Sequence, residues 1–108
     1  MVRDELLRLR ARAEAEAATL AQDLEALFLA SRDSNADDEH DPEGATIGFE
    51  RAQLTALLAG ARQRIADVDD ALRRVDAATY GVCERCGQPI GDERLAARPF
   101  ARFCMACA

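Results

Sequence analysis

The sequence predicts an all-α dominated fold, in which a long antiparallel coiled-coil hairpin is followed by a small segment built around four cysteines. Three observations predict this fold: heptad repeats run through residues 3–30 and again through 44–79, a polar segment joins them, and two close cysteine pairs follow. Aromatic residues make up only 5% of the chain and Trp is absent, so the bulky side chains of a large globular core are missing. We therefore expect a hairpin over residues 1–79, with its tip at 33–43, and a separate finger over 80–108.

The first helix is predicted from residues 3–30, which contain neither Gly nor Pro and are rich in helix-forming residues. An apolar stripe follows the heptad spacing through this helix: Leu6, Ala13, Ala17, Leu20, Leu24 and Leu27. Arg3 and Arg10 occupy the stripe's second position near the start, where we expect looser packing or arginine stems that reach toward solvent. The helix is expected to end near Ser31 or Arg32.

The second helix has a start signal in Asp41-Pro42-Glu43, with Asp as the N-cap, Pro in the first helical position and Glu near the positive end of the helix dipole. Its heptad positions are Ile47, Leu54, Leu58, Ala61, Ile65, Val68, Leu72 and Val75. We expect this helix to run directly into Thr79-Tyr80-Gly81, where Gly81 ends it. The short connection favours a hairpin within one chain, and hence a monomer, although a four-helix bundle of two chains would satisfy the same heptads.

The net charge of −6 lies entirely in the segment between the two helices. That segment contains six acids and no arginine: Asp33, Asp37, Asp38, Glu39, Asp41 and Glu43. The other fourteen acids are balanced by the fourteen arginines. An acidic segment of this kind favours a basic partner surface or a bound cation over direct nucleic-acid binding, and a solvated acidic loop is the simpler alternative.

The four cysteines have the spacing of a metal site, because Cys83 and Cys86 form one Cys-x-x-Cys pair and Cys104 and Cys107 form another. Two intervening residues let one turn direct both sulfurs at a single ion, and Gly87 after the first pair suits a turn with a positive φ. We predict one structural Zn²⁺. Four thiolates leave no open coordination position for catalysis.

Iron and two disulfides are the alternatives for these cysteines. Rubredoxin-type iron normally lies in an aromatic-rich core, whereas only Phe100 and Phe103 lie between the two pairs. Disulfides belong to oxidising compartments, and Arg3, Asp4 and Glu5 interrupt any apolar leader at the N-terminus. No apolar run reaches the eighteen or so residues of a membrane span. We therefore expect a soluble protein of the reducing cytoplasm.

The residues around the cysteines resemble the zinc finger of DksA/TraR-type bacterial transcription factors. The matching stretches are Tyr80-Gly81-x-Cys83-x-x-Cys86-Gly87, Ile90, Arg94-Leu95-x-Ala97-Arg98-Pro99 and Cys104-x-x-Cys107. The resemblance implies a non-enzymatic regulator that binds RNA polymerase directly, without sequence-specific DNA binding, and inserts its hairpin into the secondary channel. There the acidic tip lies near the catalytic Mg²⁺ and alters open-complex stability, often together with the alarmone ppGpp.

Two features depart from the family pattern. The family's tip motif Asp-x-x-Asp-x-Ala, started at Asp41, meets Gly44 and Thr46, so the second acid would be Glu43, one residue early. The sequence ends at Ala108, whereas longer members continue into a C-terminal helix, and ppGpp sensitivity in the family is linked to such flanking parts.

Three other functions remain open on the sequence. Paired tip acids could hold a second Mg²⁺ and stimulate transcript cleavage, as Gre-type factors do. The chain could be a general zinc-stabilised interaction hairpin, monomeric or dimeric. Finger arginines could contact DNA, although finger acids and the formal −2 charge of a zinc tetrathiolate oppose this; the residues concerned are Arg94, Arg98 and Arg102 against Glu84, Asp92 and Glu93.

Overall fold

A computed structural model of the chain describes residues 2–33 and 42–108. It contains helices α1 (Val2–Asp33), α2 (Pro42–Asp76) and α3 (Asp92–Ala97), and the described residues form no strand beyond an isolated bridge between Val82 and Pro89. The predicted all-α hairpin followed by a cysteine-rich finger is confirmed. In the described ranges, no helix combines the length and apolar character needed to cross a bilayer.

The chain forms two compact units, one made of Arg12–Gln63 and the other of Met1–Ala11 with Arg64–Ala108. In the unit Arg12–Gln63, residues 21–28 of α1 line one groove with residues 51–62 of α2, as two antiparallel helices of a hairpin do. The predicted heptad positions face inward. Ala13, Leu58 and Ala61 are buried, and the unit's other heptad positions are partly buried: Ala17, Leu20, Leu24, Leu27, Ile47 and Leu54.

The other unit packs the start of α1 against the end of α2. Leu6, Val68 and Ala71 form its buried core. Five partly buried apolar side chains contact this core: Leu9, Leu72, Val75, Tyr80 and Phe100. Residues from both helices and from the finger therefore share one small core, which fixes where the finger begins.

Arginine and aspartate pairs cross between the helices in this unit. The Arg10 guanidinium donates to both carboxylate oxygens of Asp69, at 2.5 and 3.2 Å, and Arg3 forms an ion pair with Asp76. The sequence predicted loose packing or solvent-reaching stems for these arginines, and that expectation missed the pairs. Both arginines and both aspartates are seven residues apart, so the same helical faces meet twice.

The end of α2 differs from the prediction, because the helix stops at Asp76 and Gly81 does not end it. Ala78 has a φ of 60°, its N–H donates to Val75 O at 3.1 Å, and the Thr79 N–H donates to Arg74 O at 2.8 Å. This is the hydrogen-bond pattern of a Schellman motif, with alanine in the left-handed position that glycine usually takes. Gly81, with a φ of 85°, instead forms the next turn toward the finger.

Candidate metal centre

The four cysteine sulfurs converge on one point. They lie within 4.8 Å of one another, and the Sγ atoms of Cys86 and Cys104 are 3.7 Å apart. Tetrahedral zinc with Zn–S bonds of about 2.3 Å places its sulfurs about 3.8 Å apart, whereas a disulfide needs about 2.05 Å. The arrangement therefore fits a single tetrahedral zinc ion held by four thiolates.

Each cysteine pair is shaped by a tight turn. The Gly87 N–H donates to Cys83 O at 3.0 Å, and the Cys107 N–H donates to Cys104 O at 3.0 Å. Gly87 has a φ of 76°, so the predicted positive φ at this residue is confirmed. Each turn brings its two sulfurs to the same side of the backbone, as the Cys-x-x-Cys spacing predicts.

Backbone hydrogen bonds join the two turns. Glu84 N–H, in the first turn, donates to Arg102 O at 3.0 Å, just before the second pair. Two further bonds close the first turn onto the following segment, Cys83 N–H to Gln88 O and Ile90 N–H to Gly81 O, both at 2.8 Å. Beneath them Cys83 packs with Ile90 and Ala101 in a second small buried core.

The thiols influence one another's ionisation. Backbone hydrogen bonds, first from Cys104 and then from Cys86, lower the pKa of the Cys83 thiol to about 6. Hydrogen bonding with Cys104, followed by burial, raises the pKa of the Cys107 thiol to about 12. Without a cation, one thiolate thus forms readily while the last is suppressed. Zn²⁺ supplies the positive charge that lets all four thiols lose their protons.

A buried arginine next to the site was not singled out by the sequence. Arg74, in the last turn of α2, is only 9% exposed, and its guanidinium lies 3.4 Å from Asp70, 3.7 Å from Glu84 and 3.3 Å from Phe100 O. The sequence holds one signal for the burial of Arg74, which is its position in the last helical turn before the finger. The adjacent Arg73 points the other way, because a pair of arginines ordinarily indicates a solvated face.

The three finger arginines considered for DNA binding line one groove together with Phe100 and Phe103: Arg94, Arg98 and Arg102. Arg94 donates to Phe103 O at 2.7 Å, and Arg102 donates to Glu84 at 2.7 and 3.0 Å. Arg98 stacks over the Phe100 ring, 6.0 Å from its centroid. Two of the three guanidinium groups are thus hydrogen-bonded within the finger, and the third lies over an aromatic ring.

The predicted tip residues lie outside the described part of the chain. This applies to Asp37, Asp38, Glu39 and Asp41, and to the side chain of Glu43, whose backbone begins α2 after Pro42. Their role at the tip stays a prediction.

Comparison with known proteins identifies the family. A family model described as the prokaryotic dksA/traR C4-type zinc finger matches residues 78–108. The solved structure of transcription factor DksA2 from Pseudomonas aeruginosa matches with a TM-score of 0.83 and 30% identity, covering 98% of this chain and 76% of that one. The chain belongs to the DksA/TraR family. Its cofactor is accordingly the structural zinc of a C4 finger, as the sequence predicted.

Curated proteins match this chain over shorter stretches. The RNA polymerase-binding transcription factor DksA of Caulobacter vibrioides is 55% identical over 40 residues, which are 37% of this chain and 28% of that protein. General stress protein 16O of Bacillus subtilis is 38% identical over 70 residues, which are 65% of this chain and 43% of that protein. The matched part of the chain thus spans less than half the length of these relatives.

Proposed function

We propose that this protein is a non-enzymatic transcription regulator that binds RNA polymerase directly. The observation that carries the proposal is the match to DksA2 over 98% of the chain, which includes both the hairpin and the finger. The curated name of the Caulobacter vibrioides relative, an RNA polymerase-binding transcription factor, points the same way. Because RNA polymerase works in the cytoplasm, we place the protein there.

The four cysteines are, in this proposal, the ligands of the structural zinc: Cys83, Cys86, Cys104 and Cys107. Support comes from the convergence of their sulfurs within 4.8 Å and from the matching turns at the two pairs. The metal's part is to fold the finger. With four thiolate ligands it has no open position for a substrate.

The hairpin is the proposed polymerase-inserting element, entering the secondary channel as a monomer with the acidic residues of 33–43 leading. An antiparallel hairpin is narrow, since two helices side by side are about 20 Å across by the usual helix diameter. The concentration of negative charge in this segment suits a channel that leads to a metal-containing active site.

Sequence-specific DNA binding is not part of the proposal. The finger's arginines are satisfied internally to a large extent, with Arg94 on Phe103 O and Arg102 on Glu84. The groove that Arg94 and Arg102 line together with Arg98 is likewise not proposed as a ppGpp site, because Arg94 and Arg102 are hydrogen-bonded within the finger. Asp67 lies in the same groove and weakens its positive potential.

A competition experiment tests polymerase binding. The protein is added to core RNA polymerase with and without an excess of a second secondary-channel protein, and bound material is quantified. We expect binding that the competitor abolishes. The change in open-complex stability caused by the protein should weaken when five acids are neutralised together: Asp37, Asp38, Glu39, Asp41 and Glu43. The matched controls are Glu50→Gln and Glu93→Gln, which change exposed acids elsewhere.

Two results would contradict the proposal. One is the absence of binding at micromolar concentration by zinc-loaded protein; the other is binding that the channel competitor leaves intact. Incubation with stalled elongation complexes separates the proposal from Gre-type activity, because the regulator leaves the transcript at its original length.

A further inference from the structure

The finger and the end of α2 are joined by a charged network that no zinc ligand belongs to. Its centre is Arg74, whose side chain is only 10% exposed although it carries a full positive charge. A buried cation is costly unless acceptors surround it, so the contacts of Arg74 are a requirement of this packing and not an incidental surface pairing.

The acceptors of Arg74 come from two directions. Asp70, one helical turn earlier in α2, lies 3.4 Å away, and from the finger come the Phe100 carbonyl at 3.3 Å and the Glu84 carboxylate at 3.7 Å. Arg74 therefore connects the last turns of α2 to two separate segments of the finger.

Glu84 carries the network into the metal site. It lies between Cys83 and Cys86, and its carboxylate accepts two hydrogen bonds from Arg102, from Nε at 3.0 Å and from the terminal nitrogen at 2.7 Å. Arg102 lies two residues before Cys104, and its carbonyl accepts the Glu84 N–H at 3.0 Å. One residue pair thus links the two cysteine turns through both side chains and backbone.

We propose that Arg74, Glu84 and Arg102 are positioning residues of the zinc site, which hold the two cysteine turns in register and make metal occupancy and the docking of the finger on α2 one cooperative event. These three residues are called the brace. Outer groups that orient ligands commonly change metal affinity by about 10–100-fold when removed. The proposal rests on the assignment of the four cysteines as zinc ligands.

The brace also links the zinc site to α2, a helix that supplies no zinc ligand. Bound zinc would be held by the turn that carries Glu84, and this carboxylate completes the acceptor set of Arg74. Arg74 also donates to Phe100 O of the finger and to Asp70 of α2. Loss of zinc frees Glu84 and leaves the buried cation with fewer acceptors, which favours opening of the last turn of α2.

Zinc affinity, measured by competition with a chromophoric chelator, tests the brace in three variants with two matched controls. Glu84→Gln removes the charge at nearly constant shape, Arg102→Met removes its partner, and Arg74→Met removes the buried cation. We expect each to weaken zinc binding by about 10–100-fold. The controls are Arg62→Met, an exposed arginine earlier in α2, and Glu93→Gln, an exposed finger acid, and both should bind zinc as the parent does.

Hydrogen exchange separates cooperative docking from a local effect on the finger. Adding zinc to the metal-free parent should slow amide exchange both in the finger and in the last turn of α2, whereas in Arg74→Met it should slow exchange in the finger alone. If Arg74→Met does not fold, Arg74→Lys takes its place, since it keeps the charge but loses the fork that reaches several acceptors.

Parent-like zinc affinity in all three brace variants would overturn the proposal, as would equal protection of α2 in Arg74→Met and the parent. Failure of the zinc assignment itself gives a different result, because parent protein would then bind no stoichiometric zinc and Cys83→Ser would behave like the parent.

Discussion

The two compact units of this protein are stabilised in different ways. In Arg12–Gln63, contacts between helices come from the heptad seam, where alanine supplies two of the three buried residues, while several large apolar side chains stay exposed: Phe28, Leu29, Phe49 and Leu57. In the other unit the seam is supplemented by interhelical ion pairs, a buried arginine and the metal centre. Ion pairs, the buried arginine and the metal centre are thus concentrated in the unit that carries the finger.

The two units also differ in the side chains that they bury. The unit Arg12–Gln63 buries mainly small side chains along its seam, with Ala13 and Ala61 beside Leu58. The finger-bearing unit contains two buried clusters of only three residues each, so metal and charge supplement these small cores.

Removing zinc should have the largest effect, because zinc binding to finger peptides is worth about 10–16 kcal/mol. With a strong chelator, or in Cys83→Ser, we expect amides of residues 80–108 to exchange freely, while amides of 12–63 keep most of their protection. Acid should do the same, since protons compete with zinc for the thiolates. Hydrogen exchange read by mass spectrometry checks this; a finger that stays protected without metal would show that its small core suffices.

Truncating the core of the finger-bearing unit should come next. Leu6 is fully buried, so Leu6→Ala should cost about 2–5 kcal/mol in the free energy of unfolding. The matched change in the other unit, Leu24→Ala, affects a partly buried seam position and should cost less. Chemical denaturation followed by circular dichroism measures the free energy of unfolding of both variants. Equal losses would mean that the two units are packed equally well.

A gain of stability is expected at the end of α2. Ala78 adopts the left-handed conformation, which costs a residue with a Cβ about 1–2 kcal/mol relative to glycine. Ala78→Gly should therefore raise the free energy of unfolding by about 1 kcal/mol, after allowing for the greater freedom of glycine in the unfolded chain. Ala77→Gly, one residue earlier and without a positive φ, is the control and should not stabilise. A destabilised Ala78→Gly variant would contradict the assigned helix ending.

The smallest effect should come from the ion pair of Arg10 and Asp69. Hydrogen bonding from Arg10 holds the pKa of Asp69 below its ordinary value. The lowered pKa means that the pair's stabilisation is complete above the unfolded pKa of about 3.9 and is lost as pH falls through the lower folded value. Asp69→Asn should thus lower the free energy of unfolding by a constant amount above that pKa and make its fall on the acid side less steep. An acid side as steep as the parent's would show that the pair adds nothing measurable.

The sequence predicted the hairpin well because helical periodicity is a local property of the chain. Every described apolar heptad position is buried or partly buried, including alanines such as Ala13 and Ala61 that hydrophobicity alone would not select. The metal site was predictable for the same reason, since each Cys-x-x-Cys turn is local and only the meeting of the two turns is long-range.

Two of the three features that sequence reasoning missed depend on contacts between distant residues. Arg10 pairs with Asp69, and that pairing follows from a hairpin register that the heptads alone leave undetermined. Arg74 is buried only because the finger folds back over it. The left-handed conformation of Ala78 was not predicted, because Gly81 tolerates a positive φ and was therefore the more favourable residue at which to end the helix. The sequence held one signal for the ion pairs: Arg3 and Arg10 are seven residues apart, and so are Asp69 and Asp76.

Crosslinking from the hairpin to RNA polymerase tests the central claim most directly. A photoreactive amino acid is placed at Phe49, a 72% exposed position early in α2, in zinc-loaded protein bound to core enzyme, and the crosslinked peptides are identified by mass spectrometry. A second probe at Met105, 73% exposed in the finger, reports on the other unit. The account predicts that Phe49 crosslinks to residues lining the secondary channel and Met105 to the outer surface around its entrance. Crosslinks from Phe49 to the outer surface alone, in a complex that is demonstrably formed, would contradict it.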